Sequence, residues 1–144
     1  MKRMTRSAIV ACSAEAFYAL VEDIEAYPAF LPWCAEAQVR ERAPGRTVAT
    51  LTLAVKGLRQ SLTTENANLR GQSIDMRLLE GPFRHFGACW RFTPLSPAAA
   101  KVEFTLEYEF SNRVVGALLG PVFGRLADDT VTAFARRAAS AGHG

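Results

Sequence analysis

Hydrophobic side chains change their spacing three times along the chain, and those changes divide it into elements. Residues 2–10 set Thr5, Ile9 and Val10 among alternating polar neighbours, the two-residue period of a strand, and the basic side chains at its start suit a sheet edge. Ser13 then offers an N-cap and Glu15 an acid in the first turn, which predicts a helix over Ala14–Glu22 with Phe17, Leu20 and Val21 facing inward. The acidic group Glu22, Asp23 and Glu25 ends it. Pro28 and Pro32 bracket a second helical turn holding Tyr27, Phe30, Leu31 and Trp33, an aromatic cluster that serves either as a plug on the core or as one lip of a pocket.

After Cys34 the two-residue period returns. Strands are predicted over Ala37–Arg42, Thr47–Lys56, Leu58–Ala67, Ile74–Leu78, Phe86–Pro94 and Lys101–Phe110, with turns at Pro44-Gly45, Gly57, Gly71 and Gly81-Pro82. The last strand is the clearest: Val102, Phe104, Leu106, Tyr108 and Phe110 take one face and Lys101, Glu103, Thr105, Glu107 and Glu109 the other. That alternation marks an antiparallel sheet with one wet side. Consecutive strands joined by short turns predict a meander.

From Val114 to Ala139 the spacing changes to three and four. Val114, Val115, Leu118, Leu119, Val122, Phe123, Leu126, Thr130, Val131, Phe134, Ala135 and Ala138 form the apolar face of a long helix, the one surface large enough to cover the sheet. No charge falls between Val114 and Gly124, yet this run is shorter than the roughly 18 to 20 residues a membrane span needs. Pro121 predicts a kink, or a helix that starts there behind Gly120.

Composition narrows the functional classes. The 144 residues are 49% hydrophobic and 22% charged, which indicates one ordered domain over residues 1–144 with room for a core or an enclosed pocket. A net charge of +3 permits contact with phosphate, in RNA or anionic lipid, without requiring it. Cys12, Cys34 and Cys89 are odd in number and widely spaced, against a disulfide framework or a zinc site, and imply a reduced, cytosolic-type compartment. Lys2, Arg3 and Arg6 before Ile9-Val10-Ala11-Cys12 imitate a lipoprotein cleavage box, but the apolar stretch is too short for a signal peptide.

Catalytic signals are sparse. His85 and His143 lack ligand spacing to any cysteine or carboxylate, and there is no nucleophile elbow, phosphate-cradling glycine loop or paired-acid signature. Asp128 and Asp129 diverge by about 100° on a helix and are assigned to surface charge and pairing with Arg125. Arg84 and Arg91 lie among aromatics, but alternation places Arg91 opposite Trp90 and Phe92, so these cannot jointly stack a base. No catalytic residue and no metal site are expected.

Three segments resemble a known family. They are Val21-Glu22-Asp23-Ile24-Glu25-Ala26-Tyr27-Pro28-Ala29-Phe30-Leu31-Pro32-Trp33-Cys34, Gly81-Pro82-Phe83 leading to Gly87-Ala88-Cys89-Trp90-Arg91-Phe92, and Phe110 through Val122-Phe123 to Ala133-Phe134. In this order they resemble the coenzyme Q-binding branch of the START-like, polyketide cyclase/dehydrase-like superfamily, a branch that also contains the bacterial ribosome association toxin. The resemblance implies an α+β helix-grip fold: a seven-stranded antiparallel sheet wrapped around a long C-terminal helix, with two short helices after the first strand. It implies a hydrophobic tunnel between sheet and helix for a prenylated quinone. Phe30, Leu31 and Trp33 would form the entrance, Phe83, Trp90 and Phe92 the sheet wall, and Leu118, Val122, Phe123 and Leu126 the helix wall.

The leading expectation is a non-enzymatic carrier or chaperone of a quinone-type lipid that supports respiration. It carries no covalent cofactor but binds ubiquinone or a similar lipid, resides in the cytoplasm and touches the inner membrane peripherally. The alternatives are a ribosome association toxin that binds the large subunit and blocks subunit joining, and a polyketide cyclase or dehydratase. DNA is not expected as a partner.

Overall fold

The computed structural model describes residues 1–55 and 57–141; Lys56 and His143 lie outside them. Its elements run β1 (Lys2–Val10), α1 (Ala14–Glu22), a 3-10 segment (Ile24–Ala29), β2 (Cys34–Ala43), β3 (Arg46–Val55), β4 (Leu58–Leu69), β5 (Ser73–Glu80), β6 (Phe83–Ser96), β7 (Ala99–Phe110) and α2 (Arg113–Ala141). The strands form one antiparallel sheet in the order β1-β7-β6-β5-β4-β3-β2. Strands two to seven make the predicted meander, and β1 joins its far edge beside β7, so that Ala8 lies opposite Val102 and Met4 opposite Leu106.

The chain passes from one sheet edge to the other through α1 and the 3-10 segment. Ser13 caps α1 by accepting the Ala16 N–H at 3.0 Å, and Phe17, Tyr18 and Val21 are buried. The predicted second turn is displaced: it begins at Ile24 and holds Pro28 inside, while Phe30, Leu31 and Trp33 follow in irregular chain. Pro28 has no N–H to give to this segment, whose ends are held by the Ala26 N–H on the Asp23 carbonyl and the Phe30 N–H on the Tyr27 carbonyl. Gly45, at φ 74°, makes the β2–β3 turn in a conformation that side-chain-bearing residues rarely adopt.

Register shifts at Cys34/Glu36, Val39/Glu41, Thr63/Thr64 and Phe83/His85 mark bulges, which bend strands and increase their twist. The inner sheet face carries Leu51, Leu53, Leu62, Ile74, Trp90, Phe92, Phe104 and Leu106, and α2 supplies Leu119, Phe123, Leu126, Val131 and Phe134 opposite them. Asn112 caps α2 through its side-chain oxygen, which accepts the Val115 N–H at 2.9 Å. The helix does not start at Pro121. It runs through it, because Pro121 and Ala117 both lie on the exposed side, where water can satisfy the carbonyl that the proline leaves unpaired. Asp128 pairs with Arg6 of β1 at 2.5 Å rather than with Arg125, so the edge strand is tied to the helix.

Candidate functional site

Between the sheet and α2 lies a narrow apolar cavity of about 50 Å³. Leu51, Leu53 and Leu62 contribute from β3 and β4, Met76 from β5, Phe86, Ala88 and Trp90 from β6, and Phe104 and Leu106 from β7. Phe123, Leu126, Thr130 and Phe134 of α2 face them, and Tyr27, Leu31 and Trp33 close the end. Alternation along each strand and the three-to-four spacing along α2 bring these side chains to one place.

Two aromatic clusters support the walls. The Phe134 ring centroid lies 5.0 Å from Phe30, 5.4 Å from Tyr27 and 5.4 Å from Trp90. Farther along the helix, Phe123 lies 5.1 to 5.4 Å from Tyr108, Phe83 and Phe110. Such edge-on and tilted pairs each contribute about 0.5 to 1.5 kcal/mol beyond their burial.

Few polar groups reach the cavity. The Tyr27 hydroxyl is committed to the Val21 carbonyl, and burial holds its phenol well above the usual tyrosine range. Thr64 donates to Asn66 Oδ1 at 2.8 Å, and Thr130 accepts the Trp33 indole N–H at 3.0 Å. That leaves the Thr130 proton free to donate to a ligand oxygen, and the Thr64 lone pairs free to accept from a ligand hydroxyl. Among the described residues the lining holds no carboxylate, histidine or lysine, so proton transfer at pH 7 has no evident agent there. No group of three or more His, Cys, Asp or Glu among the described residues is placed to hold a metal ion.

Of the ten side chains singled out from the sequence, Leu31, Trp33, Trp90, Phe123 and Leu126 line this cavity. Phe30 sits outside it, with the Arg137 guanidinium 4.9 Å above its ring. Phe83 packs on Phe110 and Phe123, and Phe92 packs under Phe17 and Tyr18 of α1. Val122 is half-buried, and Leu118 is 56% exposed on the opposite side of the helix, where it cannot form a cavity wall. Its neighbour Leu119, 2% exposed, takes the inward position.

Sequence reasoning missed the two threonines as site groups. It also passed over Phe86, Phe104, Leu106 and Phe134, although their period was visible. In place of the expected tunnel there is a space of about 50 Å³, far smaller than the roughly 300 to 1,000 Å³ of most ligand pockets.

A long helix gripped by a seven-stranded antiparallel sheet, with two short helical segments after the first strand, is the START-like, helix-grip fold. The aromatase/cyclase Zhui from Streptomyces sp. R1128 has the same fold, with a TM-score of 0.84 at 20% identity over 99% of this chain and 98% of that one. Residues 10–135 match the family described as polyketide cyclase / dehydrase and lipid transport, and the chain belongs to that family.

The ribosome association toxin RatA of Escherichia coli K12 is 41% identical over 138 residues, covering 96% of this chain and 87% of that protein. The mitochondrial coenzyme Q-binding protein COQ10 homolog B of Xenopus laevis is 26% identical over 138 residues, covering 93% of this chain and 57% of that protein.

Proposed function

We propose that the protein binds one apolar molecule bearing a polar oxygen, a quinone-type lipid, between the sheet and α2, and carries it without chemical change. The observation that carries this reading is the cavity itself: an apolar wall interrupted by the Thr64 and Thr130 hydroxyls. An apolar tail contributes about 0.8 kcal/mol for each methylene removed from water, and a carbonyl oxygen left without a partner in such surroundings would forfeit part of that gain. The Thr130 hydroxyl, which accepts from the Trp33 indole, supplies its own proton as the donor.

At about 50 Å³ the cavity must enlarge to admit such a ligand. The first half of α2 is suited to move. Gly116, Gly120 and Gly124 each cost a helix about 1 kcal/mol relative to alanine, and Pro121 costs about 3. Phe123 lies on this weakened stretch and forms part of the wall. The resemblance to a coenzyme Q-binding protein favours a quinone over other apolar molecules.

The purified protein should release a quinone or related lipid on extraction with organic solvent, and a short-chain quinone should raise its Tm. If no apolar compound is recovered and the Tm does not move, the carrier reading fails.

One observation favours a second reading. The 41% identity with a ribosome association toxin extends over nearly the whole chain, against 26% with the coenzyme Q-binding relative. Under that reading the protein binds the large ribosomal subunit and hinders its joining to the small one. Sucrose-gradient sedimentation at low salt decides this: migration with large subunits and loss of joined ribosomes support it, and confinement to the top fractions excludes it.

A further inference from the structure

The first half of α2 presents an apolar face to solvent as well as to the core. Val114 is 69% and Leu118 56% exposed, and Ala117, Pro121 and Gly124 are exposed beside them. At 100° per residue these five positions fall within one arc of roughly 120°. A Cβ added at Gly120 or Gly124 would meet nothing within 4 Å, so no other part of the described chain covers this side.

Charge brackets the face. Arg113 precedes it and Arg125 ends it, about 18 Å apart along the axis. Neither arginine forms an ion pair among the described residues, whereas most other arginines do. Lys2 lines a groove with Gly116 and Gly120 at the same end. The first acid on α2 is Asp128, and Arg6 neutralises it.

We infer that this face docks on an anionic phospholipid bilayer, with Val114, Leu118 and Pro121 entering the headgroup boundary and Arg113, Arg125 and Lys2 meeting lipid phosphates. An apolar strip between cations is the pattern of an interfacial helix. A second copy of the chain fits less well, because antiparallel pairing of two such faces sets Arg113 of one against Arg125 of the other. Polyanionic RNA would satisfy the arginines but leave the apolar strip in water.

The inference extends the lipid-carrier reading. The inner side of the same helical stretch carries Phe123 on the cavity wall, so docking of the outer side brings the weakest part of that wall to the lipid pool. Its test does not depend on any ligand.

Full-length protein is sedimented with vesicles of equimolar phosphatidylglycerol and phosphatidylcholine, and with phosphatidylcholine vesicles alone. Binding is expected only to the anionic vesicles and should weaken with added salt. Leu118→Glu and Arg125→Glu, both at exposed positions, should keep the wild-type Tm and lower vesicle affinity by about tenfold or more.

Wild-type protein that ignores anionic vesicles, or a Leu118→Glu variant that binds them equally well, overturns the inference. So does a Leu118→Glu change that splits a dimer, or releases the protein from ribosomal subunits, without altering vesicle binding. The carrier reading is judged separately, by whether a short-chain quinone still raises the Tm in the absence of vesicles.

Discussion

The Trp33 indole N–H donates to the Thr130 hydroxyl across 3.0 Å, joining the loop before β2 to the middle of α2. Trp33 is half-buried and Thr130 is buried, and both border the cavity, so this bond closes the cavity's end. Thr130→Val keeps the shape and removes the acceptor. It should cost about 1 to 3 kcal/mol, because the indole N–H is left without a partner. In a chain of this size that is a fall of roughly 3 to 10 °C in Tm by thermal denaturation. Thr130→Ser retains the acceptor and should lose less; equal losses in the two variants would contradict the role given to the hydroxyl.

Two adjacent leucines test the phase of α2. Leu119→Ala should cost about 2 to 5 kcal/mol in denaturant unfolding, because a buried side chain leaves a cavity behind. Leu118→Ala should change stability by no more than about 0.5 kcal/mol, because that side chain stands in solvent. A reversal of this order would mean that the helix is rotated from its described position.

Phe134 joins the 3-10 segment, the sheet and α1 through its contacts with Tyr27, Trp90 and Phe17. Phe134→Ala should cost about 3 to 5 kcal/mol. It should also shift tryptophan emission to longer wavelength, because Trp90 loses an edge-on neighbour 5.4 Å away. A wild-type emission maximum in the folded variant would place Trp90 elsewhere.

Alkaline pH should unfold the protein through its buried phenols and thiols. Burial and the hydrogen bond to Glu22 push the Tyr18 phenol up to about 12, and burial raises Tyr27 and Tyr108 and brings the Cys34 thiol to about 11. Each group is neutral in both states below its unfolded pKa. Above that pKa the unfolded chain gives up its proton first, so stability falls as pH rises from about 9 toward 12. Absorbance of ionised tyrosine should therefore appear together with loss of circular dichroism. Ionisation near pH 10 in an intact fold would refute the burial assigned to these rings.

Most strands were legible because they carry the two-residue alternation that one buried sheet face imposes; Lys101–Phe110 was read almost to its ends. The beginning of α2 was less legible for a physical reason. Val114, Val115, Leu118, Leu119, Val122 and Phe123 cover half of the circumference, and Gly116, Ala117, Gly120, Pro121 and Gly124 fill the rest without a charge, so nothing polar marks which edge of the apolar arc faces outward. Leu118 and Leu119 were therefore equivalent in the sequence, and only the packing of Leu119 into the core separates them.

The aromatic segment around Trp33 was recognisable, but its partner was not. Thr130 sits at a core-facing position of the helix, and nothing in its neighbours signals that an indole 97 residues away would reach its hydroxyl. Thr64 lay hidden for the opposite reason, in a strand whose inner face is as polar as its outer one.

The proposed function requires that an apolar ligand enter between the sheet and α2. Fluorescence titration with a short-chain quinone tests it most directly, because Trp90 and Trp33 both line the cavity and a bound quinone would quench them. The predicted result is saturable quenching at one quinone per chain, abolished in a folded Ala88→Leu variant whose larger side chain fills the space. Quenching that rises without saturation, and equally in the variant, would show that the quinone reaches the tryptophans only by collision.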